Sequence, residues 1–300
     1  MTRLGLGTAP LGGLFEAVTD EEAHRVIEAA WQRGIRYFDT APLYGFGLSE
    51  QRLGAVLQNK PRNEFVLSTK VGRLLREGAP AEPGQAWKGT PPLNPVFDFS
   101  YDAVMRSVEE SLDRFGMDHV DMLLIHDPDQ HHDLALAGAY RALDRLRTEG
   151  TVKAVGAGMN QWEMLARFAR EADFDCFLLA GRYTLLDRSG AAELLPLCLE
   201  RGIAVVAGGV FNSGILADPG AKATYNYQPA PPELLEEARR IRARCAQHGV
   251  DIKAAALQFP LRHPAIASVL TGPRSVEELE DNVRQFQTSI PDELWDELGP

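Results

Sequence analysis

The sequence predicts a single α/β domain, a closed (β/α)8 TIM barrel with long loops at the C-terminal face of its sheet. Three observations favour this fold. The chain has 300 residues, a length typical of one such domain. Eight short apolar segments alternate with longer amphipathic segments. The apolar segments mostly lack polar alternation, as is typical of parallel strands that are buried on both faces.

The strand candidates are rich in Val, Ile, Leu and Phe. They cover residues 4–8, 35–38, 65–69, 120–125, 152–156, 176–179, 203–207 and 267–270. An open, doubly wound sheet is the alternative. The dinucleotide fingerprint GxGxxG, which is typical of that fold, matches poorly in LGLGTAPLGG because Pro10 and the second glycine pair spoil the spacing.

The helix candidates follow the strands. They cover residues 20–32, 48–57, 101–114, 137–147, 161–170, 191–200, 232–248 and 275–284, with extra helices predicted at 252–262 and 292–298. Thr19 is a predicted N-cap, and Glu22 three residues later predicts a capping box. Ser100 is predicted to cap the third helix in the same way.

Composition and charge exclude several functions. Asp and Glu outnumber Lys and Arg 42 to 31, so the net charge is −11, which disfavours binding to nucleic acid or to an anionic membrane. We find neither the apolar run of a signal peptide nor a stretch of about 18 apolar residues, so we expect a cytoplasmic protein. Cys176, Cys198 and Cys245 lack zinc-type spacing and are expected to be reduced, mostly buried thiols.

Two long segments, residues 72–98 and 211–231, are rich in proline and glycine. Each follows a predicted strand, which would place both on the C-terminal face, where the active sites of such barrels lie. Trp87 is in the first segment, and Tyr225 and Tyr227 are in the second. The alternative is that these segments only decorate the surface.

Three consecutive predicted strands run into an ionisable residue. Asp39, Lys70 and His126 follow strands two, three and four, and Tyr44 comes five residues after Asp39. Because neighbouring strands lie about 4.8 Å apart, these side chains can converge. Each of them alone also has a purely structural explanation, but their joint placement predicts a site.

The chemistry of this set is proton transfer. A tyrosine with a pKa of about 10 is a weak acid and a poor base at neutral pH. A neighbouring Lys70 would stabilise the phenolate of Tyr44, and Asp39 would keep that lysine charged and oriented. His126 can donate a hydrogen bond to a substrate oxygen. The set therefore favours a reaction at a carbonyl or alcohol.

The chain resembles the aldo-keto reductases in six segments that span nearly its whole length. They are YFDTAPLYG with SEQRLGAVL, VLSTKVG, VDMLLIHDPD, VGAGMN and TGPRSVEELEDN. The resemblance implies a barrel over residues 1–300, and a catalytic tetrad of Asp39, Tyr44, Lys70 and His126. It also implies hydride transfer with NAD or NADP, bound without a Rossmann domain.

The segment after the last predicted strand is a candidate phosphate site. Backbone N–H groups near Gly272 and Ser275, together with Arg274, can bind a phosphate at the start of a helix. An ordinary capped helix is the alternative. The resemblance makes Asn282 an adenine contact. Glu278 replaces the arginine or glutamine of many NADP-preferring relatives, so we expect NAD to be favoured over NADP, with dual use open.

Other cofactor contacts depart from the family pattern. Asn160 follows Met159 where the family often has a serine, so its contact with the nicotinamide amide is an expectation. Phe211 or Val210 is expected to supply the residue that stacks on the nicotinamide. Ala180 stands where the family often has glutamine.

The substrate is predicted from a subgroup resemblance. VGRLLREG, GAGMNQWE and LLAGRYTLLD resemble bacterial aldose 1-dehydrogenases that act on L-fucose, D-arabinose or L-galactose, and the related pyridoxal 4-dehydrogenases. The implied reaction oxidises C1 of a cyclic sugar to the lactone, with Tyr44 accepting the hydroxyl proton. Trp87 and Tyr225 are candidates to cover one face of the sugar.

Several alternatives stay open. They are a pyridoxal 4-dehydrogenase, a general carbonyl reductase, a non-catalytic partner subunit like those of potassium channels, and a sugar-binding barrel without turnover. The run HDPDQHHD, residues 126–133, is expected not to bind a metal, because adjacent histidines point in different directions. We expect a monomer or a small homo-oligomer.

Overall fold

The computed structural model describes residues 1–80 and 86–299, and it contains a closed barrel of eight parallel strands. Neighbours in the barrel are also neighbours along the chain, and the last strand pairs with the first. The strands are β1 (Leu4–Gly7), β2 (Tyr37–Asp39), β3 (Val66–Val71), β4 (Met122–His126), β5 (Ala154–Met159), β6 (Cys176–Ala180), β7 (Ala204–Gly208) and β8 (Ile266–Thr271). The barrel prediction is confirmed, and closure excludes the open sheet.

Helices cover the outside of the barrel. They are α1 (Asp20–Gln32), α2 (Leu48–Leu57), α3 (Tyr101–Phe115), α4 (Arg141–Thr148), α5 (Glu163–Glu171), α6 (Leu194–Arg201), α7 (Pro232–Gln247), α8 (Ile252–Gln258), α9 (Val276–Gln287) and α10 (Asp292–Leu298). The extra helix predicted at 252–262 is α8 followed by a 3-10 turn, Phe259–Arg262. The predicted helix bounds therefore agree closely with the structure except before α4.

The core has two parts. A small cluster fills the inside of the barrel and consists of Tyr37, Met122, Leu124, Cys176, Leu178, Val206 and Leu270. A larger apolar cluster lies between the strands and the helices. Strands β5 and β6 approach so closely that a Cβ on Gly156 would lie 2.0 Å from the carbonyl oxygen of Cys176. The barrel is thus a packed core with its polar groups at the strand ends.

The region before α4 differs from the prediction of one regular helix. A single helical turn, His132–Leu134, leads into a π-helical segment, Ala135–Tyr140. Gly138 in this segment approaches the turn before α3, because a Cβ there would lie 2.2 Å from the carbonyl oxygen of Phe99. The wider π-helical turn accommodates this contact, which depends on a segment distant in sequence.

The two predicted helix caps have different outcomes. Thr19 accepts a hydrogen bond from the backbone N–H of Glu22 at 3.2 Å, as predicted. Ser100 occupies the N-cap position of α3 as predicted, but its side chain makes no capping hydrogen bond. Its backbone N–H instead donates to the Asp98 carboxylate at 2.9 Å, and this fixes the turn before the helix.

The two long loops contain short strands that the sequence analysis did not predict. Arg73–Glu77 and Leu93–Phe97 form an antiparallel hairpin, the first hairpin, after β3. Thr224–Tyr225 pairs with Gln228–Pro229 after β7. Part of the first predicted loop, residues 81–85, lies outside the described residues.

Cys176, Cys198 and Cys245 are free and buried. Burial raises the pKa of Cys176 to about 12, of Cys198 to about 12 and of Cys245 to about 11, so all three are neutral thiols.

Across residues 1–80 and 86–299, each helix is too short or too polar to cross a bilayer.

Candidate active site

Asp39 and Lys70 form a buried ion pair at the C-terminal ends of β2 and β3. The Lys70 ammonium donates to Asp39 Oδ2 at 2.7 Å and to the carbonyl oxygen of Thr40 at 2.8 Å. Asp39 lies opposite Ser68 in the sheet, and Ser68 Oγ donates to Asp39 Oδ1 at 2.7 Å. Ser68 and Lys70 are two residues apart on one strand and therefore share a face, so they flank the carboxylate.

The pair keeps Lys70 charged. Burial alone lowers the pKa of Lys70, but the Asp39 carboxylate and the Tyr44 hydroxyl raise it, and the net pKa lies above its usual value. The two side chains are 2% and 3% exposed, so water screens this interaction very little. The role that the sequence analysis predicts for Asp39 requires an ion pair of this kind.

Tyr44 lies between Lys70 and His126. The Lys70 ammonium is 4.7 Å from the centre of the phenol ring, and the imidazole of His126 meets the same ring edge-on at 5.8 Å. The loop that carries Tyr44 contacts the loop after β1. A Cβ on Gly45 would lie 2.2 Å from the carbonyl oxygen of Gly12, so only glycine allows this approach. The phenol is thereby held over the strand ends.

The pKa of Tyr44 differs from the sequence-based expectation. Burial raises it, Lys70 lowers it and Asp39 raises it, so that the net pKa lies above 10. The sequence analysis considered the lysine charge without the cost of burying a phenolate. Lys70 therefore reduces the effect of burial on the phenol but does not overcome it.

His126 ends β4 and is neutral. Burial lowers its pKa well below 6.5, and the charges of Arg73 and Lys70 lower it further. Its Nε2 lies 3.6 Å from Asp127 Oδ2, whereas its buried Nδ1 has no hydrogen-bond partner within residues 1–80 and 86–299. A neutral imidazole here can share a proton with a substrate oxygen without adding charge to the site.

Asp127 and Arg73 are site residues that the sequence analysis missed. Arg73 Nη2 donates to Asp127 Oδ2 at 3.1 Å, and Asn160 Nδ2 donates to Oδ1 at 3.4 Å. Burial has the largest effect on the pKa of Asp127 and raises it. The Arg73 charge lowers this pKa and the Asp129 charge raises it, and the net pKa is about 6. The position of Asp127 directly after His126 could have indicated a role in the site. The sequence analysis considered Asp127 only as part of a possible metal site.

Aromatic side chains surround this mouth of the barrel. The Trp87 ring lies 5.7 Å from the Tyr44 ring at an angle of 30°, and Trp87 forms a β-bridge with Leu14. Tyr227 packs 5.6 Å from Phe15. The sequence analysis selected Tyr225, but the structure directs the Tyr225 hydroxyl to Asp187 at 3.0 Å.

Tyr227 is the tyrosine of the second loop that packs against Phe15 and is within range of the Asp127 charge. Burial raises the pKa of Tyr227, and the Asp127 charge raises it further. The residue as a whole is 57% exposed, so Tyr227 lies at the rim of the site.

The turn after β8 carries the candidate phosphate site. Ser275 is the N-cap of α9, and its hydroxyl accepts from the backbone N–H of Glu278 at 3.3 Å. The Glu278 carboxylate in turn accepts from the backbone N–H of Arg274 at 2.8 Å. The helix therefore starts one residue later than predicted, and a carboxylate already occupies one backbone donor of the turn.

Unsatisfied polar atoms indicate that this turn suits an anionic group. Arg274 Nε and Thr271 Oγ1 are buried and have no hydrogen-bond partner in the part of the chain that the structure describes. A Cβ on Gly272 would lie 2.9 Å from Pro10 Cγ and 3.3 Å from the carbonyl oxygen of Gly7. An anion at the N-terminus of α9 would satisfy the free donors, so the residues present fit a cofactor phosphate.

The other predicted cofactor residues lie around the same face. Asn282 is buried on α9, Asn160 is exposed at the end of β5 and Phe211 is half-buried after β7. The residue after Phe211, Asn212, anchors this loop and was missed by the sequence analysis. Asn212 Nδ2 donates to the carbonyl oxygen of Gly181 at 3.1 Å, and Thr184 Oγ1 donates to Asn212 Oδ1 at 2.6 Å.

The histidines that follow β4 pack against aromatic rings. His131 lies 5.3 Å from Phe99, and His132 stacks on Phe168 at 5.3 Å and 19°. Within residues 1–80 and 86–299, no group of three or more His, Cys, Asp or Glu side chains is arranged to hold a metal ion.

Comparison with known proteins identifies relatives over the whole chain. Residues 3–299 match the model of the aldo/keto reductase family. The chain is 45% identical to the pyridoxal 4-dehydrogenase of Microbacterium luteolum, covering 99% of this chain and 93% of that one. It is 46% identical to the D-threo-aldose 1-dehydrogenase of a Pseudomonas species, covering 99% and 92%.

A further relative is the L-galactose dehydrogenase of Arabidopsis thaliana, 31% identical over 94% of this chain and 83% of that one. Among solved structures, an aldo-keto reductase of Bacillus halodurans in its holo form superposes with a TM-score of 0.80 at 24% identity, covering 99% of this chain and 90% of that one. That structural likeness supports the fold.

Proposed function

The chain belongs to the aldo/keto reductase family and is an NAD(P)-dependent oxidoreductase, and we propose that it oxidises C1 of a cyclic aldose to the lactone. The proposed substrates are sugars of the L-fucose, D-arabinose or L-galactose type. One observation carries the proposal: Tyr44 lies against both the Lys70 ammonium and the neutral His126, above a buried Asp39.

Each residue of this tetrad has a distinct task in the proposed mechanism. Tyr44 first releases its own proton to solvent, and its phenolate oxygen then accepts the proton of the C1 hydroxyl and becomes the neutral phenol again. The Lys70 charge lowers the free energy of that phenolate relative to the phenol. Asp39 keeps Lys70 protonated and in place. His126 donates a hydrogen bond to the reacting oxygen and orients it. When bound, the nicotinamide supplies the hydride acceptor.

The cofactor is proposed to be held on the turn after β8. Arg274 Nε and Thr271 Oγ1 are buried and lack a hydrogen-bond partner among the described residues, and Gly272 has no side chain that would cover the backbone. Asn282, Asn160, Ser275 and Phe211 are proposed to complete the cofactor contacts. NAD is preferred to NADP in this proposal, because Glu278 places a negative charge at the turn and engages the N–H of Arg274.

The substrate is proposed to lie between Trp87 and the tetrad. The indole lies beside the Tyr44 ring and offers an apolar face for the C–H side of a sugar. Tyr225 is a weaker candidate because Asp187 engages its hydroxyl, and Tyr227 takes its place at the rim.

Pyridoxal is the second candidate substrate. It is favoured by the 45% identity to a pyridoxal 4-dehydrogenase. Its flat ring also suits a site lined by Trp87 and Tyr44. The two candidates require the same tetrad and differ only in the groups that surround the reacting carbon.

A spectrophotometric assay at the reduced-nicotinamide absorbance band tests the proposal. L-Fucose, D-arabinose, L-galactose, D-galactose and pyridoxal are each offered with NAD and with NADP. We expect the highest kcat/KM for one of the first three sugars with NAD. The highest value for pyridoxal would replace the aldose proposal, and no turnover of any of the compounds would favour a non-catalytic barrel.

A further inference from the structure

Asp127 has an unusual backbone conformation immediately after His126. Its φ is +42°, in the left-handed region that non-glycine residues avoid. Such strain persists only where surrounding contacts stabilise it, and it is concentrated at functional sites. The conformation directs the Asp127 carboxylate to Arg73 and Asn160.

The Asp127 carboxylate is held but not saturated. Among the described residues, its oxygens accept side-chain hydrogen bonds at 3.1 Å from Arg73 and at a long 3.4 Å from Asn160, and the backbone N–H of Asn160 also interacts with the carboxylate. A carboxylate has about four acceptor sites, so it can accept further hydrogen bonds. The side chain is 18% exposed, and its Oδ2 lies 3.6 Å from His126 Nε2. A substrate that reaches His126 therefore also reaches Asp127.

Arg73 lies beside Asp127 and is also positioned to contact a substrate. It is the first residue of the first hairpin, where it pairs with Phe97, and its guanidinium lies 4.7 Å from the Phe97 ring. The hairpin is tied to α3 by an ion pair between Arg76 and Glu110 at 3.0 Å. Arg73 is nine-tenths buried, yet its Nε has no hydrogen-bond partner among the described residues. The guanidinium therefore has unused hydrogen-bonding capacity beside Asp127.

A carboxylate beside a guanidinium suits a vicinal diol. Each hydroxyl of a diol can donate one hydrogen bond and accept others. Asp127 can accept from one hydroxyl and Arg73 can donate to its neighbour, and both bonds are strengthened by charge. We propose that Asp127 and Arg73 recognise the hydroxyl groups next to the reacting carbon and thereby select a polyhydroxylated substrate. This inference rests on the proposed aldose oxidation.

The alternative is that the pair only anchors the first hairpin. Loss of an anchor would lower kcat/KM for all substrates alike, because it would change the shape of the barrel mouth. A hydroxyl-binding site would affect only substrates that carry the recognised hydroxyl. The two explanations are separated by combining a protein change with the removal of a single hydroxyl from the substrate.

The experiment uses Asp127→Asn and Arg73→Lys, with Asp129→Asn as the matched control. Asp129 is an exposed carboxylate in the same loop. Each enzyme is assayed with the best aldose and with its monodeoxy analogues. Where an analogue is not turned over, its inhibition constant is measured. Cofactor affinity, measured by protein fluorescence, reports on the integrity of the barrel.

For Asp127→Asn we expect kcat/KM for the aldose to fall about ten- to hundredfold, with KM raised more than kcat is lowered. For the deoxy analogue that lacks the recognised hydroxyl, we expect wild type and Asp127→Asn to have similar kcat/KM. The loss caused by the substitution and the loss caused by removing the hydroxyl are then not additive. Asp129→Asn should behave like wild type. Cofactor affinity should be retained in all variants.

Two results would overturn the inference. If Asp127→Asn lowers kcat/KM by the same factor for the aldose and for every deoxy analogue, the pair is an anchor. If the wild-type enzyme oxidises none of the aldoses, the proposed function is wrong, and this inference is wrong as well because it rests on that function. The first failure leaves aldose turnover by the wild type intact, so the two failures are distinguishable.

Discussion

The Lys70 ammonium lies 2.7 Å from Asp39 Oδ2, and both side chains are almost completely buried. A buried ion pair gains little net stability, because desolvation of the two charges offsets their attraction. Removing only one partner leaves an uncompensated charge inside the barrel. The pair therefore links the proposed catalytic lysine to the stability of the fold.

Lys70→Met is expected to lose activity and to lower the free energy of unfolding by about 3–5 kcal/mol, because Asp39 would lose its main partner. The double variant Lys70→Met with Asp39→Asn should recover most of that stability but none of the turnover. Urea denaturation and a steady-state assay measure the two effects. Equal stability of the single and double variants would argue against the unpaired charge as the cause.

Tyr44→Phe is expected to reduce turnover by about 10²- to 10⁴-fold, since it removes the group that accepts the proton. NAD binding should be nearly intact, because the ring still packs against Trp87 and His126. Tyr140→Phe is the matched control, since the Tyr140 hydroxyl contacts the carbonyl oxygen of Asp173 on an outer surface. Unchanged turnover in Tyr44→Phe would remove this tyrosine from its proposed role.

The order of elements was predictable from the sequence because strands buried on both faces leave a continuous apolar pattern. The convergence of Asp39, Lys70 and His126 was predictable for a related reason, since each lies at the C-terminal end of such a strand and parallel strands end on the same face. Strand register then fixes which groups touch, and it brings Ser68 opposite Asp39.

The Arg73–Asp127 contact was not predictable from local pattern. It depends on how a hairpin folds back after β3 and on a left-handed backbone at Asp127. The π-helical segment Ala135–Tyr140 likewise contains a close approach, of Gly138 to Phe99, between residues far apart in sequence. The net direction of the Tyr44 pKa was missed because burial is a property of the folded chain.

His126 should remain neutral through the neutral pH range. Its folded-state pKa is depressed below 6.5 by burial and by two cations, Arg73 and Lys70. As pH falls through 6.5, the imidazole therefore binds a proton in the unfolded chain but not in the folded protein. His126 thus lowers the free energy of unfolding as pH falls through that value. His126→Gln should weaken this acid dependence of the free energy of unfolding. NMR titration of the imidazole checks the claim directly, and protonation near pH 6.5 would contradict it.

Glu278→Arg should raise NADP affinity by about ten- to hundredfold, the effect expected of one hydrogen bond to a charged group. The change removes a carboxylate from the start of α9 and frees the backbone N–H of Arg274. Glu277→Arg is the control, because this neighbouring residue is exposed on the same turn. Dissociation constants for NADP and NAD are measured by fluorescence titration. No gain over the control would show that Glu278 does not set cofactor preference.

Asp127 should make stability fall as pH rises through weakly acidic values. Its folded-state pKa is raised from 3.8 to about 6, mainly by burial. Between these two values the folded protein binds more protons than the unfolded chain, so the free energy of unfolding decreases with rising pH. The shift corresponds to about 3 kcal/mol, present in full below pH 3.8 and lost above pH 6.

Asp127→Asn removes this titration. Relative to wild type, the variant should therefore gain about 3 kcal/mol in free energy of unfolding between pH 4 and pH 7. Urea denaturation across that range measures the difference. Asp129→Asn should keep most of the wild-type pH dependence. The Asp129 charge raises the pKa of Asp127, but its effect is smaller than the effects of burial and of the Arg73 charge. A pH-independent difference between Asp127→Asn and wild type would mean that the Asp127 carboxyl titrates in the folded protein as it does in the unfolded chain.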